Sequence, residues 1–403
     1  MKPINTMNIA EWHGLFKLRT ATLADHTRNP SFVKEAMASI NQIKPALSSG
    51  RDALFTLHAH LYVLGLLLNR TPNAAPQPGA FIGFHTHAAI SDVGEALEHL
   101  FENKPEIADE PAYWPLIEET VGYLRSLMLT DSGTKPYFTE WYLRLWRCWI
   151  SPYQGDASRF ADELRQLQSA PAVLGPALSE YPWLLAQSWL CFYLKRDEEA
   201  QAYLIELNKR SAVRPEDLFP MLEMLQTGED WQRLKGWLVA AAPLVESARL
   251  NNLKSFYQYW DGVIAHIPQA EQLMWEPLVQ MLPYTNTIYE EKLLHFAKWQ
   301  QWIDFQISKG SEPLDYRVGV LAPIEKETPE LLLPFFHQAA ERYVLLKNRH
   351  GYKMAVKLLK RLSKLYKKMK NEERWETYIT AFAARNSRLR ALQEELRKGK
   401  LIP

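Results

Sequence analysis

Apolar residues recur at three- and four-residue steps through most of the chain. Leu358, Leu359, Leu362, Leu365, Tyr366 and Met369 keep that spacing, as do Leu331, Phe335, Ala339, Tyr343 and Leu346 with one polar interruption. This is the period of one face of an α-helix. Sustained two-residue alternation is missing. The best strand candidates, residues 81–84 and 318–321, are short and flanked by loops, so any sheet is expected to be minor. Proline marks where helices begin: Asn29-Pro30-Ser31, Arg214-Pro215-Glu216-Asp217 and Thr328-Pro329-Glu330 each place it near the first helical position, where its missing N–H is not needed. Loops are predicted at 69–80, 130–136, 151–156, 168–182 and 308–329, each rich in Pro, Gly, Ser, Asn or Asp. The most apolar run, 53–68, falls about one residue short of a membrane span and contains His58 and His60, which predicts a buried helix instead. The expected class is all-α.

A local pattern recurs in the second half: a short polar turn, a small or aromatic residue, then a large apolar pair three and four residues later. Arg196-Asp197-Glu198-Glu199-Ala200 leads to Tyr203-Leu204, and Gly228-Glu229-Asp230-Trp231 leads to Leu234 and Trp237-Leu238. His350-Gly351-Tyr352 precedes Ala355 with Leu358-Leu359, and Asn371-Glu372-Glu373-Arg374-Trp375 precedes Tyr378-Ile379. Each instance reads as the turn and second helix of a helical hairpin. Ala200 and Trp231 stand 31 positions apart, within the range of helical-hairpin repeats, whereas Ala355 and Trp375 are only 20 apart. The tetratricopeptide consensus is not matched, since Trp231-x2-Leu234 is followed by Lys235 before Gly236. By analogy of pattern the expectation is an irregular, tetratricopeptide-like α-solenoid over residues 181–403, preceded by a less regular helical region, 1–180. An irregular helical bundle is the alternative.

Charge changes the picture. The 47 Lys+Arg and 46 Asp+Glu leave a net of only +1, which excludes a uniformly basic nucleic-acid coat. The partition is uneven: residues 341–403 hold 18 basic and 6 acidic side chains, so that the first 340 carry a net of −11. Residues 353–370 contain eight basic residues and no acid. On a helix Lys353, Lys357, Lys360, Arg361, Lys364, Lys367 and Lys368 fall within an arc of about 120°, opposite Met354, Ala355, Leu358, Leu359, Leu362, Leu365, Tyr366 and Met369. Such a row suits the phosphates of DNA or RNA, with little sequence preference. An acidic protein partner, a plainly solvated face and a face lying against the acidic body of the same protein are the other readings. A membrane surface fits less well, because the apolar arc has helices to pack against.

Recognisable chemistry is sparse. Gly-x-x-x-x-Gly-Lys-Ser/Thr, Gly-x-Gly-x-x-Gly, Gly-x-Ser-x-Gly and His-Glu-x-x-His do not occur. His58-Ala59-His60 and His85-Thr86-His87 are the His-x-His pairs, but on a helix residues two apart point about 200° around the axis from each other. No metal or other cofactor is therefore expected. Cys148 and Cys191 sit among large apolar residues, where a thiol serves as a small hydrophobe. With only two cysteines, and Pro3, Asn5, Glu11, Trp12 and His13 interrupting any leader-like apolar run, a cytoplasmic location is expected. Fourteen tryptophans beside many acids leave one enzymatic alternative, an α/α-barrel hydrolase acting on carbohydrate with paired carboxylates. Helical spacing of Trp141, Trp146 and Trp149, and of Trp299 and Trp302, favours core packing.

The stretch from Tyr352 through Lys353-Met354-Ala355-Val356-Lys357-Leu358-Leu359-Lys360-Arg361-Leu362 to Trp375-Glu376-Thr377-Tyr378, followed by Arg388-Leu389-Arg390-Ala391-Leu392, resembles the helical C-terminal region of bacterial SWIM zinc-finger proteins. Those proteins carry a Cys-x-Cys…Cys-x-His zinc module and are linked to Snf2-type helicases. The module is missing here, since Cys148 and Cys191 lie 43 positions apart in neither arrangement, so no zinc ligand carries over. What the resemblance implies is a DNA-related role beside a helicase partner. The expectation is thus a non-catalytic helical scaffold whose basic C-terminal helix contacts nucleic acid or an acidic partner.

Overall fold

A computed structural model describes residues 2–69, 83–103, 107, 111–131, 136–153 and 157–403. Among them the chain forms twenty α-helices and no strand, so the class is all-α. The start signals act as expected. Asn29 caps the Pro30–Asn41 helix, its Oδ1 accepting from Phe32 N at 3.0 Å, and Pro215 opens Pro215–Thr227. Asn8 and Glu11 form a reciprocal capping box at the start of Ile9–Thr20, with bonds of 2.9 and 2.8 Å.

Three expectations change. Residues 318–321 are not a strand but the first turn of the Val318–Glu327 helix, which buries Leu321 and Ile324. Four apolar residues cannot reveal their period, and length decides between strand and helix. Of the other strand candidate, 81 and 82 lie outside the described residues, and Phe84 begins the Phe84–Glu102 helix. The loops at 168–182 and 308–329 are shorter than predicted, because helices continue through proline. Ser158–Leu174 contains Pro171, which leaves the Leu167 carbonyl without its usual helical donor. The indole N–H of Trp183 fills that place at 2.8 Å, from the next long helix, Glu180–Tyr193.

The chain divides into two compact units, Met1–Pro277 and Leu278–Pro403. The boundary expected near residue 180 falls inside the first, between Ser158–Leu174 and Glu180–Tyr193. The first unit begins around the apolar run, which is the helix Ser49–Leu68, with Leu54, Leu57 and Leu61 fully buried. Trp12 and Phe16 pack edge-on against Phe55, with centroids 5.3 and 5.1 Å apart. No described helix is long and apolar enough to cross a membrane.

All four polar turns singled out by pattern open helices: Asp197–Arg210, Trp231–Val245, Arg349–Lys368 and Glu372–Arg385. Each follows a left-handed residue two positions before the helix, namely Lys195, Glu229, Lys347 and Lys370 with φ between 49° and 57°. At three of these turns the next N–H reaches back five residues into the preceding helix: Arg196 to Cys191 O at 2.9 Å, Asp230 to Leu225 O at 2.9 Å, and Asn371 to Tyr366 O at 2.9 Å. These are Schellman closures, which satisfy the carbonyls of one helix while reversing the chain for the next. In the first unit Arg233 then ties hairpin to hairpin. It grips both oxygens of Asp197 at 2.7 Å and donates to Phe192 O at 2.9 Å, while Trp237 Nε1 adds a bond to Asp197 at 2.9 Å.

Candidate nucleic-acid interface

The basic stretch forms the helix Arg349–Lys368 in the second unit. Its start is set by Asn348, whose side chain accepts from Gly351 N at 2.7 Å. Gly351 is required there: a Cβ would stand 2.5 Å from Tyr343 O and 3.2 Å from Leu346 Cβ. Tyr343 belongs to Leu332–Leu345, the helix that pairs with this one. Tyr352, Ala355, Val356, Leu358, Leu359, Leu362, Leu365 and Tyr366 are buried, while Met354 and Met369 are half-buried at the edges of the apolar arc. The apolar arc is therefore committed to the unit's own core and the opposite face is turned outward.

On that face Lys353, Lys357, Lys360, Lys364, Lys367 and Lys368 are exposed, whereas Arg361 is half-buried, its guanidinium 5.0 Å from the Phe336 ring centroid. Lys368 donates to the carbonyl of Glu325 at 2.8 Å. Lys353 is near Glu395, whose carboxyl is held below its ordinary range chiefly by the hydrogen bond from Arg349. Lys357, Lys360, Lys364 and Lys367 make no hydrogen bond or ion pair among the described residues. Lys353 and Lys357, Lys357 and Arg361, Lys360 and Lys364, and Lys364 and Lys368 are like-charged neighbours four apart. Each such pair opposes the helix by roughly 0.2–0.5 kcal/mol. Burial of the apolar arc outweighs that, since a single buried leucine contributes about 1.5–3 kcal/mol. Four members of the cationic row, Lys357, Lys360, Lys364 and Lys367, thus have no paired anion among the described residues.

The remaining chemistry-bearing residues are dispersed. Cys148 is partly buried and Cys191 fully buried, with burial pushing the Cys191 thiol up to about 11. His58 and His60 diverge: His60 Nδ1 bonds its own helix at Thr56 O, 2.8 Å away, while His58 is fully buried. The partner of His58 is His13, 45 positions earlier, with Nε2 and Nδ1 3.0 Å apart. No local spacing signals that pairing. Among the described residues, two buried carboxylates are each matched by an arginine and a tyrosine, Glu163 by Arg125 and Tyr142 and Asp217 by Arg214 and Tyr181, while Glu395 is held by Arg349 and Lys398 and Asp131 accepts from Phe138 N.

No family model matches the chain, and no solved structure matches it significantly. Among curated proteins it is similar to an uncharacterized protein, YwqB, of Bacillus subtilis (strain 168). The two are 34% identical over 194 residues, an alignment covering 46% of this chain and 36% of YwqB. The matched part is thus only about a third of that relative's length.

Proposed function

We propose that this protein is a non-catalytic helical scaffold, built in part from irregular hairpin repeats, whose second unit holds nucleic acid through the outward face of Arg349–Lys368. The observation that carries the reading is the set of four exposed lysines, Lys357, Lys360, Lys364 and Lys367, which have no internal counter-charge among the described residues. They follow one another along about 15 Å of helix, at a rise of roughly 1.5 Å per residue. A phosphate backbone presents negative charge at comparable intervals, and its counterions are released on binding. The second unit as a whole has 23 Lys+Arg against 14 Asp+Glu, and the first has 24 against 32. The buried carboxylates Glu163 and Asp217 support a structural over a hydrolytic role, because arginine and tyrosine already occupy them. The resemblance to SWIM zinc-finger proteins would place the scaffold beside an Snf2-type helicase on DNA.

Fluorescence anisotropy with a labelled DNA or RNA oligonucleotide at low salt tests the assignment. Binding is expected to weaken with a log–log salt slope of about −4, for four or five phosphates neutralised. The variant with Lys357, Lys360, Lys364 and Lys367 replaced by Glu should fold and lose binding. Undiminished binding by that variant, or none by the natural chain, would refute the nucleic-acid role. An acidic protein retained by the natural chain but not by the variant would redirect it to a protein partner.

A further inference from the structure

A cavity of about 630 Å³ opens beside the N-terminal helix, lined by Gly14, Lys17, Tyr62 and Leu66 among others, with His13 and Tyr123 also in its wall. Its volume lies in the range of small-molecule sites. Behind the wall runs a chain of hydrogen bonds with a defined direction. Thr120 donates its hydroxyl proton to Leu116 O at 2.6 Å, so its oxygen is left to accept from His58 Nε2 at 2.9 Å. With its proton on Nε2, His58 presents a bare Nδ1, which accepts from His13 Nε2 at 3.0 Å. That leaves the lone pair on His13 Nδ1. The tautomers follow from donor counting alone.

Neither this Nδ1 nor the Tyr123 hydroxyl has a hydrogen-bond partner among the described residues, and neither is sealed inside the protein. Both residues line the cavity, and their rings lie 4.6 Å apart. One acceptor and one donor therefore sit side by side in a wall whose other uncharged polar side chains are already engaged, Asn8 by Glu11 N and the Tyr62 hydroxyl by Thr20. A single hydroxyl answers both, donating to His13 Nδ1 and accepting from Tyr123. The charged groups of the wall do not call for an ion: Glu119 is engaged by Ile9 N at 2.9 Å, and Lys17 stands in solvent. An ionic group buried there without a partner would lose its hydration uncompensated.

We infer that this cavity is a binding site for a neutral aromatic molecule bearing a hydroxyl group, which His13 and Tyr123 orient through that hydroxyl. It is a site for binding rather than proton abstraction. Burial lowers His13 to about 4, which makes it a weak base at neutral pH, whereas its lone pair remains a sound acceptor.

Gly14 supplies a clean steric test. It lies in the helix and in the cavity wall, and a Cβ added there meets nothing within 4 Å. Gly14→Leu should project into the cavity without disturbing the fold, because leucine is the better helix former. The probes are 2-naphthol and 2-methoxynaphthalene, which differ in the donor, titrated calorimetrically into the full chain up to 1 mM. The natural protein is expected to bind 2-naphthol and to bind its methyl ether about fivefold more weakly, one hydrogen bond's worth. Gly14→Leu should weaken 2-naphthol at least tenfold with an unchanged or higher melting temperature, and His13→Phe should erase the preference between the probes. Equal binding of both probes by the natural protein, no 2-naphthol binding at 1 mM, or undiminished binding by Gly14→Leu would each overturn the inference. If His13→Phe does not fold, the two probes and Gly14→Leu still decide it.

Discussion

His13 and His58 show how one residue's setting is decided by distant chain. Burial lowers both imidazoles, His13 to about 4 and His58 well below its ordinary value, with the charge of His13 adding to the effect on His58. Both are neutral in the folded protein at pH 7, whereas an unfolded histidine titrates near 6.5. Between those values the unfolded chain binds more protons than the native one. The stabilisation is therefore complete above about pH 6.5 and is lost as pH falls toward 4. Urea unfolding at pH 7 and pH 4.5 should show the natural protein losing about 2 kcal/mol more than His13→Gln over that interval. Equal losses would mean that His13 is not held neutral. None of this was visible in residues 8–20 and 58 read separately, because a histidine's neighbours two or four positions away say nothing of one 45 positions off.

At the scale of the element, the turns and the basic helix invite opposite interventions. Lys370 closes the Arg349–Lys368 helix with φ 54°, a conformation that costs a residue with a Cβ roughly 1 kcal/mol. Lys370→Gly should accordingly raise stability by about 0.5–1 kcal/mol in thermal or urea unfolding. Glycine is not used at the comparable turn after Pro215–Thr227, where Glu229 takes the left-handed position and Gly228 lies beside Met224 O, 3.1 Å from where its Cβ would be. The pattern of polar turn and apolar pair therefore located the hairpins correctly, but not which residue of the turn bends. Lys364 lies between Lys360 and Lys368, four positions from each. Lys364→Glu converts two repulsions into two attractions and should stabilise the folded protein by about 1 kcal/mol while weakening oligonucleotide binding. Stability lost together with binding would argue that this lysine is structural.

Across the whole molecule, the near-zero net charge conceals two units of opposite sign, −8 over Met1–Pro277 and +9 over Leu278–Pro403. The second has its own core, with Trp302, Phe335, Phe336, Leu358 and Leu362 buried. A fragment of residues 278–403 should melt cooperatively by circular dichroism and bind the anisotropy probe within about threefold of the full chain, as expected for a separately folding unit. A fragment that is helical but does not bind would shift the interface to the first unit.

The all-α class, the buried helix at 53–68, the hairpin openings and the amphipathic Arg349–Lys368 helix were all determined by the sequence alone. Each is a consequence of local periodicity or of a cap within a few residues, and helical geometry acts at that range. What only the tertiary structure decided was non-local: the helix through residues 318–321, the indole that replaces proline's missing bond at Leu167, the tethering of Arg361 and Lys368 beside four lysines with no partner among the described residues, and the His13–His58–Thr120 chain behind a cavity. These depend on which surfaces meet after the helices pack, and neighbours in sequence carry no record of that.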